Sequence, residues 1–271
     1  MPVPAFMYGT AWKEERTEEL TTSAMKAGFS AIDTANQRRH YVEADVGKAV
    51  SKAIREGRSR AELFLQTKFT YAPGQDHRLP YDPRTSFAEQ VAQSFASSLE
   101  HLETDYIDSY VLHGPATRCG LVDADLEVWA KMEELERAKK VRLLGVSNVS
   151  AEQLSALTRH STAKIGFVQN RCFARTGWDR RVRAICAEHG IVYQGFSLLT
   201  ANERELGTPE VRRIAARHGR TVAQVVFRFA LELGMLPLTG TTSPSHMRED
   251  LASFDFELDR AEVETLERIS G

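Results

Sequence analysis

The chain has 271 residues, 42% of them hydrophobic and 27% charged, and 35 Lys and Arg against 37 Asp and Glu leave a formal net charge of -2. That balance excludes a nucleic-acid surface built on excess basic charge, and equally an acidic tail. No apolar run reaches the roughly 20 residues of a membrane span, and the start lacks the regions of a signal peptide, so a cytoplasmic protein is expected.

In chain order, a first strand is predicted over 5–10, a helix over 17–26 stopped by Gly28, and a strand over 31–35. The loop 36–40 leads to a helix over 41–56 with an apolar stripe of Val42, Val46, Ala49, Val50 and Ile54. Next comes the run Leu63-Phe64-Leu65-Gln66-Thr67-Lys68, read as a buried strand ending in a lysine. The Pro/Gly-rich stretch 71–83 is expected to be a lid or a disordered excursion. A helix over 85–102, a strand over 106–113 and a helix over 125–139 follow. Then come a strand over 141–146, a helix capped by Ser150, a strand over 165–170 and a helix over 179–189. A strand over 191–196, helices from Pro209 and Val222, a strand over 235–239 and a helix over 260–269 finish the chain.

Strict strand–helix alternation demands a parallel sheet with right-handed crossovers. Eight units at this length, with no G-x-G-x-x-G and no linker-like break, predict a closed (β/α)8 barrel, one domain over 1–271. Cys119, Cys172 and Cys186 lack metal-ligand spacing and cannot all pair, so free thiols are expected.

Several strands end in a chemical group: Asp33, Lys68 and His113, with Tyr41 entering from the first turn of the helix after Asp33. Such groups ring the mouth of a parallel barrel. A buried Asp and Lys satisfy one another as a pair. An ammonium beside a phenol lowers the tyrosine pKa from about 10, which suits proton donation to a carbonyl while His113 orients it or relays the proton.

At this point the chain resembles the aldo-keto reductases. The resemblance rests on the stretch Gly28-Phe29-Ser30-Ala31-Ile32-Asp33-Thr34-Ala35, on Thr67-Lys68, and on Ser94-Phe95-Ala96-Ser97-Ser98-Leu99. It rests also on Asp105-Tyr106-Ile107-Asp108 through His113 and on Gly145-Val146-Ser147-Asn148. It covers nearly the whole chain and implies a (β/α)8 fold, carbonyl reduction with a nicotinamide cofactor, and a tetrad of Asp33, Tyr41, Lys68 and His113. The loop after Asp33 is longer than in most members, so spacing counted from Glu43 and Gly47 falls on His40 while the chemistry favours Tyr41. Both stay open as the proton donor.

The resemblance further implies that Ser147, Asn148 and Gln169 hold the nicotinamide carboxamide, unless Asn148 caps the next helix. It stacks Phe196 on the ring and sets Ser197, Leu198 and Leu199 along the pyrophosphate. Thr239, Gly240, Thr241 and Thr242 would precede a helix whose amino-terminal amides suit phosphate. Many members carry a lysine for the 2′-phosphate where this chain has Leu238. His246 or Arg248 would replace it, with Glu249 and Asp250 on the adenine, so NADPH is expected and NADH remains open.

Trp12, His40, Phe69, Tyr71 and Phe173 are the expected walls for a small-molecule carbonyl substrate. The amino-terminal hairpin and extended carboxyl-terminal loop of many members are expected to be absent, which predicts a wide site. Two other readings remain: an inactive cofactor-binding protein on the same scaffold, and an unrelated barrel lyase using Lys68 as a Schiff-base amine.

Overall fold

A computed structural model describes residues 3–270. Eight parallel strands close into a barrel in chain order. They are β1 (Met7–Gly9), β2 (Ala31–Asp33), β3 (Phe64–Phe69), β4 (Ile107–Leu112), β5 (Val141–Ser147), β6 (Ile165–Arg171), β7 (Val192–Phe196) and β8 (Leu236–Thr239). The barrel closes through pairing of Met7 with Leu238 and Tyr8 with Thr239.

The helices wrap outside. They are α1 (Thr17–Ala27), α2 (Glu43–Arg55), α3 (Phe87–His101), α4 (Asp123–Arg137), α5 (Ala151–His160), α6 (Arg180–His189), α7 (Glu203–Leu206), α8 (Pro209–His218), α9 (Val222–Glu232), α10 (Pro244–Leu251) and α11 (Arg260–Glu267). The short α7 escapes sequence reasoning because four residues carry no readable period. No helix among the described residues is long and apolar enough to cross a membrane.

Two apolar clusters divide the work. The larger lies between sheet and helices; the smaller packs Met7, Ala31, Phe64, Phe167, Leu236 and Leu238 inside the barrel. Phe64 meets Phe167 edge-on, with ring centroids 5.8 Å apart, and closes the interior. Every residue of β3 and β4 is buried, as strands covered on both faces require. Because side chains alternate, Gln66 and Lys68 follow Phe64 inward while Leu65, Thr67 and Phe69 face the helices.

Two expectations need correcting. The helix after Asp33 begins at Glu43, with Val42 outside it at φ −117°, so Tyr41 sits on the preceding loop and not in a helical turn. The stretch 71–83 is neither lid nor excursion but a packed strap. The Tyr81 hydroxyl donates to Thr70 O at 2.7 Å, Gln75 Nε2 donates to Asn36 O at 2.8 Å, and Gln37 Nε2 donates to Gly74 O at 2.8 Å. These bonds fasten the strap to the loop that delivers Tyr41.

Candidate active site

Asp33, Lys68 and His113 stand at the carboxyl ends of β2, β3 and β4, around one mouth. Lys68 is fully buried and donates to Asp33 Oδ1 at 2.7 Å and to Thr34 O at 2.8 Å. The ammonium lies 5.3 Å from the centroid of the Tyr41 ring, and that ring meets His113 edge-on with centroids 6.0 Å apart. Three strand ends and the loop after β2 therefore bring four groups together, Tyr41 among them.

Their protonation states follow from burial. Loss of solvent, with the Asp33 carboxylate close by, raises the proton affinity of Tyr41. This corrects the expected lowering: the Lys68 charge is neutralised by Asp33, so it does not dominate at the phenol. Burial lowers the Lys68 affinity, and Asp33 opposes that shift. Burial, then Lys68 and His40, push His113 down to about 3, leaving a neutral imidazole. Its Nδ1 shares a hydrogen bond with Thr70 Oγ1 at 2.7 Å, so Nε2 is the nitrogen left for a ligand.

His40 has different neighbours. Its ring stacks on Trp12 at 3.8 Å between centroids, and its carbonyl accepts from the Trp12 N–H at 2.8 Å. Burial and Arg39 lower its proton affinity. The imidazole lines the cleft beside Trp12.

The tetrad opens into a cleft of about 700 Å³ that runs from Trp12, His40, Tyr41 and His113 to His246, Glu249 and Asp250. Ser147, Asn148, Gln169, Phe196 and Ser197 line its middle. Asn148 caps nothing: Ser150 caps α5, while Asn148 Nδ2 donates to His113 O at 2.8 Å and to Ser147 Oγ at 3.1 Å. Trp12, Asn148 and Ser197 all hold left-handed backbone, with φ of 61°, 52° and 56°. Non-glycine residues held there at a modest cost gather at binding sites, and these three line one cleft.

The residues 6–270 match the model of the Aldo/keto reductase family. The chain belongs to the aldo/keto reductase family. An aldo-keto reductase of Mycolicibacterium vanbaalenii is 32% identical, over 98% of this chain and 88% of that one. A D-galacturonate reductase of Fragaria ananassa is 30% identical, over 94% and 82%. The crystal structure of an aldo/keto reductase from Brucella melitensis superposes with a TM-score of 0.84 at 26% identity, covering 98% and 94%. The protein is thus an NAD(P)H-dependent oxidoreductase of small-molecule carbonyls.

In this aldo-keto reductase several expected wall and cofactor residues lie elsewhere. Phe69 faces the helices and packs on Tyr71 and Tyr81. The Tyr71 hydroxyl donates to Asp125 Oδ1 at 2.9 Å, away from the cleft. Phe173 lies under the Arg175 guanidinium, 4.2 Å from its ring centroid, and does not line the cleft. Thr242 and Arg248 also lie outside the lining, although Thr239, Gly240, Thr241 and His246 belong to it.

The amino terminus of α10 offers fewer free amides than expected. Pro244 has no N–H, and Ser243 Oγ already accepts from His246 N. Lys13 compensates. Its ammonium reaches Gly240 O across the cleft floor, and burial, then Arg16, lower its proton affinity. Asp250, bonded through Oδ2 to Thr239 Oγ1 at 2.7 Å, is raised to about 6, chiefly by burial.

Sequence reasoning missed Lys13, although it directly follows Trp12. It also missed Asn202, which is fully buried and ties the β6 and β7 loops together. Asn202 accepts from Ala174 N at 2.7 Å and donates to Cys172 O at 2.9 Å and Leu198 O at 2.8 Å. No local pattern marks a residue two of whose three partners lie 28 and 30 positions away.

Proposed function

We propose that the cleft reduces an aldehyde or ketone with NADPH, Tyr41 giving the proton and His113 orienting the carbonyl. The observation that carries this reading is the Tyr41 phenol beside a buried Lys68–Asp33 pair at the floor of one cleft. A dinucleotide fits the groups present. The Oε1 of Gln169 has no hydrogen bond among the described residues and suits a carboxamide N–H, while Phe196 offers a ring face.

The bound reduced nicotinamide supplies hydride. All else falls to the chain. Lys68 has three N–H groups, and Asp33 and Thr34 take two, leaving the third for the Tyr41 oxygen. The neutral Nε2 of His113 holds the carbonyl oxygen, Tyr41 Oη protonates it, and Lys68 stabilises the phenolate that forms. Trp12 and His40 wall the substrate side.

At the adenine end His246 and Lys13 favour the extra phosphate of NADPH, while Leu238 adds nothing and Glu249 and Asp250 oppose it. The preference over NADH is therefore modest. A Schiff-base role for Lys68 is disfavoured because its amine is buried and committed to two acceptors. A retired scaffold would not need a complete tetrad.

The test is NADPH oxidation with 4-nitrobenzaldehyde. The wild type should turn over, and Lys68→Met should lose about 100-fold or more in kcat while quenching of NADPH fluorescence on binding is kept. Equal activity in Lys68→Met would end the tetrad assignment.

A further inference from the structure

Beneath the tetrad the barrel interior holds side chains to which the reduction chemistry assigns no part. Gln66, Gln194 and Ser109 are fully buried there. Gln66 Nε2 donates to Asp33 Oδ1 at 2.7 Å and to Gln194 Oε1 at 2.8 Å. Gln194 Nε2 returns a bond to Gln66 Oε1 at 2.9 Å, and the Ser109 hydroxyl donates to the same oxygen at 2.8 Å. Gln169 Nε2 donates in parallel to Asp33 Oδ1 at 3.0 Å and to Gln194 Oε1 at 2.9 Å.

A primary amide turned about its last bond exchanges donor for acceptor, and only a one-sided partner forbids the turn. Asp33 is that partner. A carboxylate accepts and does not donate, so Gln66 and Gln169 must both present nitrogen to it. Gln194 Oε1 then takes the second proton of each, and Gln194 Nε2 must face Gln66 Oε1. One charge orders the whole network, and the network in return fixes one atom: Asp33 Oδ1 sits where three N–H donors from Gln66, Lys68 and Gln169 meet.

We propose that Gln66 and Gln194 are positioning residues for the reduction, an amide pair that holds Asp33 Oδ1 and through it the Lys68 ammonium beside Tyr41. The proposal rests on the function argued above. Gln66 bonds the carboxylate directly, and Gln194 clamps Gln66 and Gln169 so that neither can swing away. An apolar interior of equal volume would pack as well, as the cluster around Phe64 and Phe167 does one layer lower. It would leave Asp33 with two donors in place of three. Small displacements of a group that must meet a reacting centre cost rate steeply, so the effect belongs in kcat.

A packing role and a positioning role part in a double variant. Gln66→Met keeps the volume and removes the bonds, but it strands the polar atoms of Gln194 and Ser109, so it should lower both Tm and kcat. Gln66→Met/Gln194→Met removes both partners and with them the stranded Gln194 amide; of the groups that lose an acceptor, Gln169 borders the cleft and only the Ser109 hydroxyl stays enclosed. Its Tm should recover toward the wild type while kcat stays down about tenfold, with the aldehyde KM and the NADPH Kd from fluorescence within about threefold. Gln66→Glu, equal in shape but repelled by Asp33, should lose more kcat than Gln66→Met. Recovery of kcat together with Tm in the double variant overturns the proposal, as does unchanged kcat in a folded Gln66→Met. An inactive wild type would instead overturn the function on which the proposal rests, so the two failures are told apart.

Discussion

Tyr41 and His40 are neighbours in the chain with opposite surroundings. The phenol lies against Lys68 and His113 with its proton affinity raised, whereas the imidazole lies on Trp12 with its affinity lowered. An acid must carry its proton at working pH, and here the tyrosine does so throughout the neutral range. Tyr41→Phe should therefore cut kcat by about 100-fold or more, and His40→Gln should act mainly on aldehyde KM. The reductive rate should hold flat from about pH 6 to 8, where a histidine acid would lose it. A dead His40→Gln beside an active Tyr41→Phe would reverse the assignment. His113 adds a stability effect. Folded it titrates near 3, while unfolded it titrates near 6.5. The unfolded chain thus binds a proton that the folded one refuses, and stability falls as pH drops through that window. His113→Asn lacks this group, so between pH 8 and pH 5 it should lose about 1–2 kcal/mol less than the wild type, measured by urea midpoints.

At the scale of elements, α2 and α3 cross through Gly47. A Cβ built there would stand 1.9 Å from the backbone oxygen of His101 and 2.9 Å from Leu102 Cα. Both obstacles are backbone and cannot rotate aside, so one helix must move. Gly47→Ala should cost about 3 kcal/mol and roughly 10 °C in Tm. Because the Tyr41 loop enters α2, kcat should fall in the same variant even well below its Tm. A native Tm would show that the helices yield freely. Glu43 adds to the fastening of this element: Oε1 accepts from Thr67 Oγ1, and Oε2 pairs with His101 Nδ1 at 2.9 Å. The loop carrying Tyr41 is thus held by the strap 71–83 on one side and by α2 on the other.

For the whole molecule, the cleft draws residues from the ends of β1, β2 and β4 through β8, and from α10 beyond the barrel. A ligand spanning it bridges the points where the barrel closes, β1 to β8. NADPH at about 100 times its Kd should stabilise the fold by about 2.7 kcal/mol, or roughly 5–10 °C in Tm. NADH at the same concentration should give a smaller shift, and the difference should shrink in high salt as phosphate contacts are screened. Equal shifts at low salt would mean that Lys13 and His246 do not read the 2′-phosphate.

The barrel was legible in the sequence because each unit announces itself locally. Apolar runs such as Leu63–Leu65 and stripes such as Val46, Ala49 and Val50 need no distant information, and strict alternation leaves one economical topology. Asp33, Lys68 and His113 were legible for the same reason, each ending a buried strand. Facing and distance were decided only by the tertiary structure. Phe69 turns outward because the pleat alternates from Lys68, and Tyr71, beyond the strand, packs on it. Tyr41 rather than His40 lies against Lys68 and His113 because the strap sets the path of its loop. Gln66 and Gln194 meet across 128 residues, and a pairing at that separation is written in the closure of the barrel, not in any stretch of the chain.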